Sequence, residues 1–308
     1  MINCKICNKS FKSEKGLHCH LKQHGITMAE YYTKYYPREN KLTGEPLPFK
    51  NKADYFSKDF STRAQLIKWC SQSDQEEVGD YILELLKSRV SSKSLKRGPS
   101  HIELRISDLP PIDSYKKAFG SYTSACNAAG VEPLFGSKLP EGFKEVDVSG
   151  LKIFIDTREQ KPLSFDLSES MKLDFGDYTA AGKDYSYTYV DRKSAGDFIG
   201  TLGVNNLERF RNELSRARDL DCYLFVVVES SLDKIYKHNR WGPHSSNLKF
   251  IYHNMRVLNH EFADSCQFVF AGSRSGSEYL IPRILKLGKA LWSVDLQYYI
   301  DCHELGNR

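Results

Sequence analysis

Residues 173–197 read LDFGDYTAAGKDYSYTYVDRKSAGD. Gly176 and Asp177 stand before one short β-branched and aromatic run, and a second run, TYVDRK, ends at Asp191, Arg192 and Lys193. On a strand, residues two apart project from the same face, so Asp191 and Lys193 share one cleft while Arg192 points to the other side. Asp177 stands ahead of Asp191 with thirteen residues between them and can reach that cleft from a neighbouring strand or turn. Two or three carboxylates beside a lysine form a hard oxygen cage suited to Mg²⁺ or Mn²⁺. The spacing Asp-x13-Asp-x-Lys is loose by itself, and on spacing alone surface carboxylates with a solvated lysine are the simpler reading.

The surrounding chain changes that balance. KIFIDT, ending on Asp156, and the runs CYLFVVVE and CQFVFAG read as strands. SAGDFIGTLGVNNLERFRNELSRAR, SSNLKFIYHNMRVLNHEF and SEYLIPRILKLGKALW read as helices. Strands alternating with helices predict an α/β domain around a mixed sheet over residues 151–308. In order, IDTRE, LDFGDY, VDRKSAGD, the ERFRNELSRAR helix and CYLFVVVE resemble the XPF-type nuclease domain of the PD-(D/E)XK class, over roughly residues 150–230. That family's Gly-Asp, gap, Glu-Arg-Lys-x3-Asp pattern falls on Gly176, Asp177, Asp191, Arg192, Lys193 and Asp197. Its upstream Asp-x-Arg-Glu falls on Asp156, Arg158 and Glu159.

The resemblance implies a restriction-endonuclease-like core, a mixed sheet flanked by helices, that hydrolyses phosphodiesters. It implies Asp156, Asp177 and Asp191 as ligands of Mg²⁺ or Mn²⁺, with Glu159, Arg192, Lys193 and Asp197 completing the catalytic set and Arg158 meeting DNA. The metal would polarise the phosphodiester and acidify a water that the lysine orients or deprotonates. The chain departs from the pattern in carrying Asp191 where the family has glutamate, one methylene longer. No tandem helix-hairpin-helix repeat precedes Arg308, which puts dimerisation through such a module in doubt and leaves a homodimer as an open expectation. Arg209, Arg211, Arg216 and Arg218 form basic stripes that suit either phosphate contact, first of all by Arg209 and Arg211, or a solvated helix face. His238, His244, His253 and His260 have no metal spacing.

At the front, CKICNKSFKSEKGLHCHLKQH sets Cys4 and Cys7 two residues apart, then twelve residues, then His20 and His24 three apart. This spacing suits one tetrahedral Zn²⁺. The cysteines fit a knuckle, and a four-residue step puts both histidines on one helix face. Phe11 and Leu17 stand where so small a module needs its core, and metal binding would supply the folding energy. The segment resembles the two-Cys two-His zinc finger, which implies a ββα unit over residues 1–28. That family's base-reading positions fall on Ser13, Gly16 and Cys19, none of which offers a bidentate fork. Lys12, Lys15 and Lys22 remain to neutralise phosphates, so a DNA tether of little sequence selectivity is expected.

Residues 29–96 read as a linker and helical segment. Four tyrosines fall within six residues, followed by Pro37, Gly44, Pro46 and Pro48; the aromatics suit stacking on bases or packing on the back of the finger equally. Leu66, Ile67, Ile82, Leu83, Leu85 and Leu86 predict two helices between Arg63 and Arg89. Residues 97–133 read as a compact three-helix unit with Tyr115, Phe119, Tyr122 and Ala125 as core. Its Pro99-Ser100 start and its FGSYTSACNAAG end resemble the homing-endonuclease-associated repeat, which implies a DNA-binding accessory module. Residues 134–150 read as a hinge.

Of the 308 residues, 40% are hydrophobic and 27% charged, which excludes a wholly disordered or fibrous chain. No apolar run reaches the roughly 18 residues a membrane span needs, and the N-terminus does not read as a secretory signal. Residues 1–100 hold 18 basic against 11 acidic side chains, net +7, while residues 101–308 hold 26 against 28, net −2. A basic front on a slightly acidic body favours an anionic partner, and double-stranded DNA is the one expected. The assembly resembles modular, often phage-encoded, homing endonucleases, and the expected setting is cytoplasmic, at the nucleoid or in an infected host's cytoplasm. Two alternatives stand beside that reading: a structure-specific nuclease of repair or recombination, and a zinc-finger regulator on an inactive nuclease fold.

Overall fold

The computed structural model describes residues 2–39, 46–52, 55, 63–93, 95, 97–182, 187–235 and 247–302; His238 and His244 lie outside them. The chain forms two compact units, Met1–Ser94 with Asp108–Gly130, and Leu95–Ser107 with Val131–Arg308.

In the first unit β1 (Ile2–Asn3) and β2 (Ser10–Phe11) pair antiparallel, Ile2 opposite Phe11. The chain turns between them through Asn8, whose φ of +60° a short polar side chain tolerates. Helix α1 (Glu14–Leu21) begins where the Ser13 hydroxyl accepts the Gly16 N–H, and it tightens into a 3₁₀ turn, Lys22–His24. Helix α2 (Met28–Tyr35) starts in a capping box made by Thr27 and Glu30.

Leu17 and Leu21 of α1 are buried with Cys4, Tyr31, Tyr32 and Tyr55 in one small core, edged by Phe11, Leu47 and Phe49. The tyrosine run therefore packs on the finger. Tyr31 accepts the Lys5 N–H at 2.9 Å, and the Tyr32 hydroxyl lies 2.9 Å from His18 Nε2. A bare finger buries too little surface to stand by itself, and these rings enlarge its core.

Helices α3 (Arg63–Gln72) and α4 (Gln75–Lys93) fall where the leucine spacing predicts two. The three-helix unit expected over residues 97–133 does not close on itself. Helix α5 (His101–Ile106) belongs to the second unit, whereas α6 (Ile112–Phe119) and α7 (Tyr122–Ala128) belong to the first, where α4 packs on both. The reason lies in α5's partners: Ile102 joins the main core of the second unit. The buried Glu103 meets His260 at 3.1 Å, and the His101 N–H and Nε2 meet Asp295 and Asp301, each at 2.8 Å. Pro110 and Pro111 mark the point where the chain leaves.

The second unit is an α/β domain. Its strands are β3 (Lys152–Asp156), β4 (Leu167–Met171), β5 (Tyr178–Ala180), β6 (Thr188–Lys193), β7 (Tyr223–Val228) and β8 (Cys266–Phe270), in the sheet order β4-β3-β5-β6-β7-β8. β5 runs antiparallel to β3 and β6, while β6, β7 and β8 are mutually parallel, so the sheet is mixed as expected. All six residues of YLFVVV in β7 are buried. Leu224, Val226 and Val228 face a core with α8 (Ala195–Thr201), α9 (Leu207–Asp219) and α10 (Leu248–Glu261). Tyr223, Phe225 and Val227 face the other core, with α11 (Arg274–Leu287) and α12 (Leu296–Asp301). A strand covered on both faces has no polar side, which explains the unbroken apolar run. Two further expectations are corrected here. The helix expected from Ser194 to Arg218 is two, because the glycine-rich stretch to Gly203 ends α8 and the Leu202 carbonyl is held by Asn254 at 2.9 Å. The segment 134–150 is not a free hinge, since Phe143 is buried in the second core and Leu134 and Phe135 are also buried.

Candidate active site

The cleft forms where β5 begins and β6 ends, under α9. Gly176 has a φ of +56°, and a Cβ there would stand 2.7 Å from the Val190 carbonyl oxygen. Only glycine lets the loop lie so close to β6. The adjacent bonds then fix Asp177: its N–H donates to the Val190 oxygen at 2.8 Å, and its Oδ2 accepts the Arg192 N–H at 2.7 Å. Asp191 lies on β6, 5% exposed, and Lys193 Nζ reaches its two carboxylate oxygens at 2.8 and 2.7 Å. The alternation of the strand thus puts Asp191 and Lys193 on one face. α9 covers that face: Lys193 Nζ lies 5.7 Å from the centre of the Phe210 ring, and one turn later Glu213 Oε1 accepts the Gly176 N–H at 3.5 Å.

Charge is crowded there. Burial, then the negative charges of Asp191 and Glu159, push the Asp177 carboxyl up to about 8. Burial and Asp191 also raise Glu213. Burial opposes the Lys193 charge, but Asp191, Asp177 and Glu213 outweigh it and hold the ammonium above the usual lysine range. Burial and mutual repulsion resist ionisation of these crowded carboxyls, and a hard divalent cation, for which carboxylate oxygens are fitting donors, would relieve that repulsion. Asp177 and Asp191 would hold it.

The other expected residues are placed elsewhere. The Asp156 carboxylate is 1% exposed and accepts Arg158 Nε and N at 2.7 Å, Arg158 Nη2 at 3.0 Å and the Leu173 N–H at 2.7 Å. An ionised carboxylate has about four lone-pair sites, and these contacts fill them. Burial would raise Asp156, but Arg158 and the Leu173 N–H hold it down at about 2. Asp156 is therefore a clamp on the 173–177 loop, with Arg158 as its partner. On the opposite face of β6, Arg192 pairs with Glu159 at 2.9 Å and Glu229 at 2.9 Å. Ser194 caps α8, its hydroxyl accepting the Asp197 N–H at 3.2 Å and donating to Asp197 Oδ2 at 2.6 Å, so Asp197 is spent on the helix start. Arg209 is exposed, whereas Arg211 is engaged by Glu208 at 3.0 Å and Glu261 at 3.2 Å. Glu213 went unassigned in the sequence reading. The signal was available, since Phe210, Leu214 and Ala217 form the buried stripe of α9 and Glu213 lies at its edge.

In the first unit the ligand atoms of Cys4, Cys7, His20 and His24 all lie within 4.8 Å of one another. Cys7 Sγ is 3.2 Å from His20 Nε2, Cys4 Sγ 3.7 Å from His24 Nε2, and the two Nε2 atoms are 3.0 Å apart. Tetrahedral zinc with two sulfurs and two nitrogens has ligand–ligand edges of about 3.3–3.8 Å, so the set fits one ion. Gln23 Oε1 lies 2.8 Å from His20 Nδ1 and fixes the ring so that Nε2 faces the site. This is a Cys2His2 zinc-binding site. Lys12, Lys15 and Lys22 are exposed around it.

The family described as the zinc finger of C2H2 type matches residues 2–22. Among solved structures, XPF from Aeropyrum pernix in complex with DNA is similar at 18% identity, over 44% of this chain and 62% of that one, with a TM-score of 0.33. XPF from the same organism without DNA is similar at 18% identity over 50% and 69%, also with a TM-score of 0.33. The chain thus spans under two thirds of the first of these structures. No curated protein matches the sequence.

Proposed function

We propose that this chain is a metal-dependent DNA endonuclease. The observation that carries the reading is the convergence of Asp177, Asp191 and Lys193 on one buried, over-acidic cleft. Bound Mg²⁺ or Mn²⁺ supplies Lewis-acid polarisation of a phosphodiester and an acidified water. Asp177 and Asp191 bind the cation, Gly176 keeps Asp177 in reach, and Lys193 orients the attacking water beside Asp191. Arg158, whose side chain is 65% exposed, and the exposed Arg209 face the phosphates of the substrate. The zinc finger with its exposed lysines, in the basic first hundred residues, tethers the duplex. The α6–α7 hairpin adds contacts, as in a homing-type, site-specific enzyme working in the cytoplasm on nucleoid or phage DNA.

The test is nicking of supercoiled DNA by the purified chain across a Mg²⁺ and Mn²⁺ titration, followed by mapping of the ends. Metal-dependent nicking lost in Asp191→Asn supports the reading, and equal nicking by that variant refutes it. Ends at one recurring sequence mark a site-specific enzyme; preference for flaps or branches of unrelated sequence marks a structure-specific one.

A further inference from the structure

Apart from the cleft, the second unit holds a cavity of about 640 Å³. It opens where β7 and β8 end, beside the first turn of α11 and the short helices α5 and α12. Small-molecule sites occupy roughly 300–1,000 Å³, and in open α/β sheets they lie outside the carboxyl ends of the strands. β6 ends at the same edge, since Lys193, Val228 and Phe270 are partners across three parallel strands. At about 4.8 Å per strand, the end of β8 is ~10 Å from the end of β6 that carries Asp191 and Lys193. That is about three base steps along a DNA strand.

The lining decides what enters. Phe270, Leu280 and Ile300 supply apolar surface, and the charged groups are Arg105, Asp233 and Asp301. Arg105 Nη1 holds Asp301 at 2.8 Å, whereas Nη2 reaches Asp233 only at 3.4 Å, and the Asp233 side chain is 81% exposed. Asp301 also takes His101 Nε2 at 2.8 Å and Gln297 Nε2 at 3.0 Å. Three donors leave one of its roughly four lone-pair sites open. Ser231 Oγ accepts the Lys234 N–H at 3.3 Å and keeps its own hydrogen to donate.

Two acids against one cation repel a phosphate inside the cavity. Further cations stand at its border instead. Lys234 Nζ donates to the Gly272 carbonyl at 3.1 Å. Arg274, between the lining residues Gly272 and Gly276, is 44% exposed and tied to Glu229 at 3.5 Å and Glu278 at 3.8 Å. Cations outside and open acceptors within suit a nucleotide whose phosphate stays in solvent and whose base turns inward. Carboxylates accept the exocyclic amino hydrogens of bases, and apolar walls hold the ring.

We infer that this cavity receives one base swung out of the DNA strand about three steps from the cleft, with Asp301 and Asp233 accepting its amino hydrogens. The inference deepens the nuclease reading and rests on it for the nature of the strand.

The experiment uses the full zinc-loaded chain without added Mg²⁺. Short duplexes each carry one 2-aminopurine, a fluorescent base with an amino group, opposite a mismatch, where swinging out costs least. Its fluorescence rises when it leaves the stack, and binding should brighten it at least twofold. Ser231→Phe, which fills the cavity, should remove the rise and weaken DNA binding roughly five- to hundredfold, the size of one base contact. Asp233→Asn, at an exposed position that the fold does not need, should lessen both. Each variant is melted first to establish that it is folded, and Asp233→Asn decides if Ser231→Phe is not. Wild-type brightening in the folded variants overturns the inference, as does a wild-type complex that brightens no duplex. Brightening of free 2-aminopurine deoxyriboside alone marks a site for a loose nucleotide and overturns it too. Nicking of supercoiled DNA with Mg²⁺ is read separately. A chain that nicks without brightening keeps the nuclease reading and loses the base site. One that brightens duplexes, loses this in Ser231→Phe and never nicks keeps the base site and loses the nuclease reading.

Discussion

Replacing Gly176 by alanine should damage both the stability and the chemistry of the second unit. Two costs add. The residue sits at φ +56°, where a Cβ costs roughly 1–2 kcal/mol. The new methyl would also meet the Val190 carbonyl oxygen at 2.7 Å, its carbon at 3.0 Å and Leu224 Cδ1 at 3.1 Å. The first two are backbone of the central strand and cannot rotate away, so about 1–3 kcal/mol of overpacking follows. The total is about 2–5 kcal/mol. In a unit of about 190 residues each kcal/mol moves the melting temperature by roughly 2–4 °C, giving a fall of about 4–20 °C. Gly150 separates the two costs, because it has φ +73° and nothing within 4 Å of its would-be Cβ. Gly150→Ala should lose only the conformational part and should nick DNA normally. Calorimetry of both variants, with nicking rates at saturating Mg²⁺, gives the comparison. If Gly176→Ala melts beside Gly150→Ala and cuts at the wild-type rate, the close approach does not position Asp177 and the reasoning fails.

Three more outcomes are expected. Chelating zinc, or Cys4→Ser, should release α2 as well as the finger, because Cys4 shares a core with Tyr31 and Tyr32; near-ultraviolet dichroism of tyrosine should collapse while the melt of the second unit persists. Asp156 ionises lower in the folded chain, at about 2, than in an unfolded one, near 3.9, so its stabilisation is present above pH ~4 and fades as pH falls through 2; Asp156→Asn should flatten the acid limb of a stability–pH curve and lower it near neutrality. Lys193→Ala should stop nicking while Mn²⁺ binding survives, whereas Asp177→Asn should lose both; matching metal affinities for the two variants would show that lysine and aspartate do not have the distinct roles given them here.

The parts of the fold that were legible in the sequence are those whose burial is written in the side chains. YLFVVV in β7 can only be a strand covered on both faces, and the Cys-x2-Cys-x12-His-x3-His spacing can hold only one arrangement around one ion. β4 was not legible, because LSESM is an edge strand exposed at every position and carries no alternation to read. The division of α5 from α6 was hidden for a different reason: a helix of six residues shows what it buries but not which distant surface it buries against. At the site, strand alternation placed Asp191, Lys193 and Arg192 on the correct faces. Motif spacing could not tell that Asp156 would be consumed by Arg158, or that Asp197 would be held by the Ser194 cap, because both depend on hydrogen-bond partners rather than on position along the chain.

The route of α5 also sets an order of events during synthesis. His101 emerges early, but its partners Asp295 and Asp301 lie 194 and 200 residues further on. At roughly 5–20 residues per second, α5 waits on the order of 10–40 s for the ribosome to deliver them. During that interval the finger and α2 already have every residue of their shared core. The finger and α2 can therefore mature on the nascent chain before His101 of α5 has Asp295 and Asp301 to close on.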